Sequence, residues 1–336
     1  MGTYIKNIEF FLPSKKRTNE ELKKYNPEWD VERIASKTGV YSRYIAEKDE
    51  TAFDLACGAV NKLFQNNIVK KDEIDGIIFC TQSPDYIMPS NSFLIHQKFN
   101  FSKDTWAFDY NLACSGYVYG LCIARGFLET GLAKNIMLIT SDTYSKYINN
   151  KDRSTINLFG DGAAVTIVSS DKKKTGIIDA KLSSSGNEHK SFIIPAGGCR
   201  FPINDKSKIE FEDSSGNIKN KENIDMNGFA IWKFVSRTVP MQIMDLLNDN
   251  NLKVDQIDFF ALHQASKLTL DSLAKKIKIP QSKLYRNFDI YGNTVSSSIP
   301  IVLKSAIDEK KLKRNDLVIL SGFGVGLSWG SILMRF

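Results

Sequence analysis

The sequence predicts an α/β protein built from two similar halves. Short apolar runs typical of buried strands alternate with stretches of helical periodicity, which favours sheets dominated by parallel strands with helices on both faces. The same order of elements occurs twice along the 336 residues, and this indicates an internal duplication. Apolar residues make up 42% and charged residues 25% of the chain, a composition typical of a compact globular protein.

The duplication begins with a strand and a helix in each half. In the first half a buried strand is predicted at 77–80 and a helix at 91–98. The second half repeats this pattern with a strand at 259–262 and a helix at 267–277. Both strands are followed by polar residues, so we expect each to end at a ligand-binding edge.

A turn of small residues continues the pattern in each half. The elbow 113–116 is Ala-Cys-Ser-Gly, and the elbow 292–294 is Gly-Asn-Thr. The helix and strand predicted after each elbow are 117–129 and 136–141 in the first half, and 298–308 and 317–321 in the second. We therefore predict an N-terminal half at 1–170, a connecting strand and surface excursion at 171–224, and a C-terminal half at 225–336.

Charge and composition exclude several classes of protein. The net charge of +7 is modest and scattered, so we expect no nucleic-acid partner and instead an acidic protein or a phosphate-bearing ligand. No apolar run reaches the roughly 20 residues of a membrane span, and the N-terminus lacks a signal peptide, so a cytoplasmic protein is expected. The five cysteines and three histidines show no metal-ligand spacing, and neither a metal nor a disulfide framework is expected.

Cys114 is the candidate nucleophile. It precedes the predicted helix 117–129, and a thiol at a helix N-terminus is expected to have a lowered pKa and thiolate character. The other cysteines lie mostly within apolar runs and are expected to be inert; they are Cys57, Cys80, Cys122 and Cys199.

His263 and Asn293 are the candidate partners of this nucleophile. His263 directly follows the predicted strand 259–262, and Asn293 occupies the elbow position equivalent to Cys114. A thiolate with two neutral donors can form a thioester and stabilise an enolate, as the decarboxylation of a malonyl thioester requires. The same chain order, Cys-His-Asn, also occurs in papain-like proteases, although the cysteine signature of those enzymes is absent.

Together these motifs resemble the β-ketoacyl-acyl carrier protein synthase III family of the thiolase superfamily. The resemblance extends from residue 37 to residue 336 and rests on seven blocks in the family's order. These are Thr-Gly-Val-x-x-Arg (38–43), Pro-Asp-Tyr-Ile-Met-Pro-Ser (84–90), Ala-Cys-Ser-Gly (113–116), the block 152–163 with Leu-Phe-Gly-Asp-Gly-Ala, His-Gln-Ala (263–265), Gly-Asn-Thr (292–294) and the glycine-rich block 322–330.

The resemblance implies a duplicated, five-layered α/β/α/β/α thiolase-like fold and a homodimer. It implies that an acyl-CoA acylates Cys114, that His263 and Asn293 hold the carbonyl of malonyl-acyl carrier protein, and that no cofactor is needed. The backbone amides of Cys114 and Val325 would form the oxyanion hole. Lys37 and Arg153 would contact the CoA phosphates, and Met88 would limit the acyl pocket of the partner subunit.

Three departures from the family pattern concern the substrate. Arg33 stands where many members have a tryptophan that stacks on the CoA adenine, and the nearest tryptophan is Trp29. Ser266 replaces an asparagine, and Val325 replaces a glycine. Because adenine stacking would be weaker, we predict that acylation is more efficient from a carrier protein than from CoA.

An acidic carrier protein is expected to dock on basic residues of two predicted helices, namely Lys233, Arg237, Lys275 and Lys276. Two alternatives to condensation remain open at this stage. One is an acyltransferase that passes the Cys114 acyl group to another acceptor without decarboxylation, and the other is a non-catalytic subunit that pairs with an active synthase.

Overall fold

The computed structural model describes residues 2–172 and 174–336. In these ranges, no helix has both the length and the apolar character that crossing a membrane requires. The strands are β1 (Gly2–Phe11), β2 (Lys15–Thr18), β3 (Ser42–Ile45), β4 (Gly76–Cys80), β5 (Trp106–Tyr110), β6 (Asn135–Asp142), β7 (Gly162–Asp171), β8 (Ile177–Ser184), β9 (Phe192–Ile193), β10 (Phe211–Glu212), β11 (Ile218–Lys219), β12 (Asp225–Met226), β13 (Phe259–Leu262), β14 (Leu317–Gly324) and β15 (Ser328–Arg335). The helices are α1 (Asn19–Tyr25), α2 (Val31–Thr38), α3 (Ala52–Gln65), α4 (Asn91–Lys98), α5 (Gly116–Glu129), α6 (Arg153–Ile156), α7 (Gly228–Asp249), α8 (Lys267–Ile277), α9 (Phe288–Tyr291) and α10 (Ser298–Asp308).

The first half forms a five-stranded sheet in the order β1-β7-β6-β4-β5. The strand β4 runs parallel to both of its neighbours, β5 and β6. In contrast, β7 is antiparallel to β6 and to β1. All five residues of β4 are buried, as expected for a strand covered on both faces.

The second half repeats this sheet with the order β13-β14-β15-β8. Here β13 and β14 are parallel, whereas β15 is antiparallel to both β14 and β8. An isolated parallel bridge between Phe260 and Leu284 takes the position that β5 occupies in the first sheet. The strand β8, which falls in the predicted connection 171–224, is thus the counterpart of β1.

The prediction of sheets dominated by parallel strands is wrong, because both sheets are mixed. Only three residues separate β14 from β15, and a connection this short can join only antiparallel strands. The glycine-rich block 322–330 forms this hairpin.

The two sheets enclose a central helical layer, which confirms the five-layered α/β/α/β/α fold. The helices α5 and α10 pack between the sheets in one hydrophobic core that contains Tyr117, Leu121, Val302 and Leu303. The outer face of the first sheet packs against α3 and α4, and the outer face of the second sheet packs against α7 and α8.

Local sequence explains why these helices form where they do. Thr51 and Asp54 form a capping box at the start of α3, and α3 then buries Leu55, Ala59 and Leu63 at a spacing of four residues. Burying one leucine contributes roughly 1.5–3 kcal/mol. The periodic apolar face therefore fixes both the helix and its packing on the sheet.

Candidate active site

Cys114, His263 and Asn293 line one cavity of about 210 Å³. All three side chains are at least 97% buried. Cys114 lies between β5 and α5, His263 directly follows β13, and Asn293 lies on the elbow before α10. The internal duplication brings the equivalent ends of strands together, and with them the three residues that the sequence singled out.

The elbow at Cys114 is held very close to the second half of the chain. A Cβ atom on Gly322 would lie 2.6 Å from the Cys114 carbonyl oxygen, and one on Gly324 would lie 3.1 Å from Sγ. The hydroxyls of Ser115 and Ser328 are 2.7 Å apart. Glycine at 322 is therefore required for the close approach between the β14–β15 hairpin and the nucleophile, and glycine at 324 keeps the space around Sγ open.

Burial sets the charge of the Cys114 thiol. Removal from water and the nearby Asp142 carboxylate raise its pKa, and a backbone hydrogen bond only partly opposes them. The prediction of a lowered pKa at the helix N-terminus is therefore wrong, because desolvation outweighs the field of the helix. The resting nucleophile is a neutral thiol that loses its proton as it attacks.

His263 is neutral at physiological pH. Burial lowers the pKa of its imidazole to about 3. The Nδ1 atom lies 2.6 Å from the hydroxyl of Ser298, and Nε2 has no hydrogen-bond partner among the described residues. When Ser298 donates to Nδ1, Nε2 carries the proton and is the free donor of the ring.

The side chain of Asn293 also has one free donor. Its Oδ1 accepts a hydrogen bond from the backbone N–H of Val295 at 2.9 Å. This contact identifies Nδ2 as the remaining donor, and Nδ2 has no partner among residues 2–172 and 174–336. The cavity therefore contains two neutral donors without protein acceptors, together with the thiol.

Residues of the first half hold the Asn293 elbow in place. The backbone of Asn293 donates to the Leu158 carbonyl at 2.8 Å and accepts from the Gly160 N–H at 3.0 Å. Gly292 has a φ of +69°, and an added Cβ would lie 2.9 Å from the Leu158 carbonyl oxygen. The Leu-Phe-Gly motif at 158–160 thus positions the donor.

Asp142 connects the two halves beneath the site, and the sequence analysis missed it. Its carboxylate accepts from the backbone N–H of Gln82 at 2.8 Å and from the hydroxyl of Ser296. Burial raises the pKa of Asp142 to about 7. The signal for this residue was its place at the polar end of a buried strand, as for His263.

The predicted oxyanion residue Val325 follows β14 and packs partly buried against the cluster that contains Cys114. It lines a second cavity, of about 360 Å³, rather than the cavity of the three candidate residues. Phe192 lines both cavities. In the second cavity, the Tyr144 hydroxyl donates to the Gln82 amide, which donates to Asn111 at 2.8 Å.

The predicted CoA-binding residues differ in their positions. Lys37 lines the active-site cavity, and Arg33 lies one turn earlier on the same helix, exposed to solvent. The guanidinium of Arg153 donates to the Ser215 carbonyl and is not part of the cavity lining. Trp29 is buried in a small apolar cluster with Leu22, Val31 and Ile156.

A different tryptophan lies at the cavity, which sequence reasoning did not identify. Trp232 of α7 lines the cavity, and its ring centroid lies 6.2 Å from that of Phe229. Ser266 also lines the cavity and accepts the Thr269 N–H as the N-cap of α8. Only the packing of α7 on α8 reveals which residues of α7 surround the opening.

The four predicted docking residues lie on two neighbouring helices. Lys233 and Arg237 are exposed on α7, and Lys275 and Lys276 are exposed on α8. Lys276 donates to the carbonyl of Ser236 at 2.8 Å, which joins the two helices.

Met88 is 80% exposed and lies on a loop with the exposed Tyr86 and Ile87. The strand β5 is the edge of its sheet, and all five of its residues are half-buried. An open strand edge beside exposed apolar side chains is a favourable surface for contact with another chain.

The remaining cysteines do not line this cavity. Burial raises the pKa of Cys57 to about 12 and that of Cys122 to about 11. Cys80 donates to the Leu112 carbonyl, and Cys199 is exposed. Cys114 is therefore the cysteine that the structure brings together with His263 and Asn293.

Two family profiles match the chain. Residues 108–186 match the profile described as 3-oxoacyl-[acyl-carrier-protein (ACP)] synthase III, and residues 247–336 match the profile of its C-terminal part. The first match contains Cys114, and the second contains His263 and Asn293.

Characterised relatives are similar over almost the whole chain. The chain is 34% identical over 336 residues to the beta-ketoacyl-[acyl-carrier-protein] synthase III of Fusobacterium nucleatum, which covers 99% of this chain and 98% of the relative. It is 35% identical over 328 residues to the enzyme of the same name from Clostridium perfringens, covering 97% and 96% of the two chains.

Solved structures show the same fold. A crystal structure of a 3-oxoacyl-(acyl-carrier-protein) synthase III aligns with a TM-score of 0.98 and 39% identity over 100% of both chains. The synthase III of Aquifex aeolicus aligns with a TM-score of 0.86 and 32% identity, again over 100% of both chains.

Proposed function

The chain belongs to the 3-oxoacyl-[acyl-carrier-protein] synthase III family of acyl-transferring condensing enzymes, and from this premise we propose how its site performs the reaction. An acyl thioester acylates Cys114, and the acyl group then condenses with a malonyl thioester that loses carbon dioxide. The observation that carries this proposal is the pair of unpartnered neutral donors, on His263 and Asn293, in the cavity of the thiol.

In the first step, the sulfur of Cys114 attacks the carbonyl carbon of the acyl donor. The thiol proton leaves with the released thiol of the donor, because a buried neutral cysteine retains its proton until the attack. The backbone amides of Cys114 and Val325 stabilise the oxyanion of the tetrahedral intermediate. This role of Val325 is supported by its packing in the Cys114 cluster.

In the second step, Nε2 of His263 and Nδ2 of Asn293 donate to the thioester carbonyl of the malonyl substrate. Loss of carbon dioxide leaves an enolate whose oxygen receives both hydrogen bonds. The enolate carbon attacks the acyl carbon, the bond to Sγ breaks, and a 3-oxoacyl thioester forms. With a pKa of about 3, His263 donates without carrying a charge.

The alternative, transfer of the acyl group to another acceptor without decarboxylation, is less well supported. Acyl transfer requires the thiol and an oxyanion hole but no second carbonyl site. A non-catalytic subunit would not need His263, Asn293 and Cys114 in one cavity. The two free donors therefore favour condensation.

The substrates and partners are an acyl-CoA or acyl-carrier protein as donor and malonyl-acyl carrier protein as extender, with no cofactor. Lys37 contributes at the mouth from the cavity wall. The cations of α7 and α8 form a surface for the acidic carrier protein. For Arg153 a role at the CoA phosphates requires that it release the Ser215 carbonyl.

We also propose a homodimer in which β5 pairs with its copy and Met88 reaches the partner's acyl pocket. The half-buried edge strand and the exposed apolar loop support this arrangement. The second cavity, which shares Phe192 with the first, would receive the acyl group. Sedimentation of a monomer at micromolar concentration would contradict the dimer. Free cysteines, including the exposed Cys199, fit a reducing compartment such as the cytoplasm.

Intact-protein mass spectrometry tests the function. The protein is incubated with a panel of acyl-CoAs and acyl-carrier proteins, and the adduct is mapped by peptide analysis. We expect one acyl adduct, located on Cys114, that is absent from Cys114→Ala and retained by the matched variant Cys122→Ala. An adduct that persists on another cysteine of the Cys114→Ala protein would refute the assignment.

A further inference from the structure

Two exposed aromatic side chains lie at the mouth of the active-site cavity. Phe229 is 73% exposed and Trp232 is 36% exposed. Their ring planes are inclined by only 30°, and both residues belong to the start of α7. Leu268 extends this apolar surface into the cavity lining and is 57% exposed. Large apolar side chains grouped at an opening usually mark a contact with a ligand or partner.

Positive charge lies at the same opening. Lys37 lines the cavity together with Trp232, and Arg33 lies four residues earlier on α2. Neither cation forms an ion pair with a carboxylate within residues 2–172 and 174–336. The mouth therefore offers a flat apolar surface next to cations that remain available for an anionic ligand.

We propose that Phe229 and Trp232 form the stacking surface for the adenine base of an acyl-CoA donor, with Lys37 and Arg33 beside its phosphates. The proposal rests on the proposed function, which places the donor thioester at Cys114. A purine is flat and stacks on aromatic side chains regardless of its hydrogen-bonding pattern. Lysine and arginine are the usual partners of phosphate groups.

This position differs from the one that the sequence resemblance assigns to the adenine. The resemblance places the stacking residue on α2, where this chain has Arg33, and gives α7 no part in nucleotide binding. The structure supplies an indole from α7 instead, at Trp232. The prediction of a carrier-bound donor rested on the missing tryptophan, so this surface removes its reason and favours acyl-CoA.

The positions of Trp232 and Lys37 favour the nucleotide over a docked protein. Both residues line the cavity itself, so a ligand that touches both must pass through the opening that leads to Cys114. The pantetheine arm of CoA passes through such an opening and links the thioester to the nucleotide. A folded carrier protein remains outside and contacts the rim.

Equilibrium binding to the full-length protein tests the proposal. Calorimetry compares CoA with pantetheine, which has the same thiol arm but no nucleotide. We expect Phe229→Ala to raise the Kd for CoA about tenfold, because the base loses half of its stacking surface, and to leave the Kd for pantetheine unchanged. Phe229→Tyr should bind CoA as the wild type does. Met241→Ala is the matched control, since Met241 is 59% exposed on the same helix.

An unchanged Kd for CoA in Phe229→Ala would overturn the proposal, as would an equal rise for CoA and pantetheine. A loss confined to the carrier-bound donor would overturn it too, and would identify the surface as a protein contact. Acylation of Cys114 is measured in the same samples. If CoA binding follows the expected pattern while no donor acylates Cys114, the proposed function fails and the adenine surface stands.

Discussion

Ser298 fixes the direction in which His263 donates. Its hydroxyl lies 2.6 Å from Nδ1, and a hydroxyl donating to Nδ1 keeps the proton on Nε2, the atom without a protein partner. Ser298 is therefore a positioning residue that acts through His263. The burial that neutralises the imidazole also keeps Cys114 protonated, so both catalytic groups rest uncharged.

Removing the Ser298 hydroxyl should impair decarboxylation selectively. We expect Ser298→Ala to lower the rate of malonyl decarboxylation about tenfold, the equivalent of one hydrogen bond, and to leave the rate of Cys114 acylation unchanged. Ser298→Thr keeps the hydroxyl and should restore the rate. Rapid-quench measurement of both steps tests this expectation; equal losses in the two steps would indicate a merely structural role.

At this scale the sequence predicted the identity of the catalytic residues but not their protonation. Cys114, His263 and Asn293 follow from strand ends and duplicated elbows, which are local patterns. The pKa of Cys114 depends on Asp142, which is 28 residues away in the chain, and on burial that only the tertiary structure creates. Trp232 was missed for the same reason, since nothing in the sequence places α7 beside Cys114.

Among the elements, the ends of β4 and β6 and the elbow before α10 are joined through Asp142. Its carboxylate accepts hydrogen bonds from Gln82 and Ser296, and burial raises its pKa to about 7. Because the unfolded chain has the ordinary value near 4, the folded protein binds an extra proton between about pH 4 and 7. The free energy of unfolding therefore decreases as the pH rises through this range.

Replacing Asp142 should remove this contribution. The shift corresponds to a loss on the order of 4 kcal/mol between pH 4 and pH 8. We expect Asp142→Asn to lack this decrease, so that the difference in stability between variant and wild type grows with pH. His263 contributes with the opposite sign in both proteins, because its pKa is lowered, and cancels in the difference. Urea denaturation at several pH values measures it; a difference independent of pH would contradict the pKa of Asp142.

The helices were predictable at this scale because their apolar faces repeat every three to four residues. The stretches 91–98, 267–277 and 298–308 are helices over the predicted ranges. Strand direction was not predictable from alternation alone. The three-residue connection between β14 and β15 escaped notice because the glycine-rich block continues the apolar pattern of both strands.

The whole molecule combines two pseudo-equivalent halves into one site with an extended basic surface on one side. The helices α7 and α8 cover the outer face of the second sheet and carry Lys233, Arg237 and the two lysines of α8. These cations have no carboxylate partner in the described ranges, so they remain available to an acidic carrier protein.

Charge reversal on α7 should affect only carrier-bound substrate. We expect Lys233→Glu and Arg237→Glu to raise the KM for malonyl-acyl carrier protein severalfold and to leave the KM for malonyl-CoA unchanged. Added salt should raise the KM of the wild type and have less effect in the variants. Lys103→Glu, at another exposed lysine, is the control. Insensitivity to both salt and charge would place the docking surface elsewhere.

The central claim is that His263 and Asn293 stabilise an enolate rather than assist acyl transfer. The most direct measurement is the release of carbon dioxide from malonyl thioester in His263→Ala and Asn293→Ala, with acylation of Cys114 followed in the same samples. The account predicts acylation near the wild-type rate and decarboxylation lower by about 100- to 1,000-fold in each variant. Decarboxylation at the wild-type rate in both variants would contradict it.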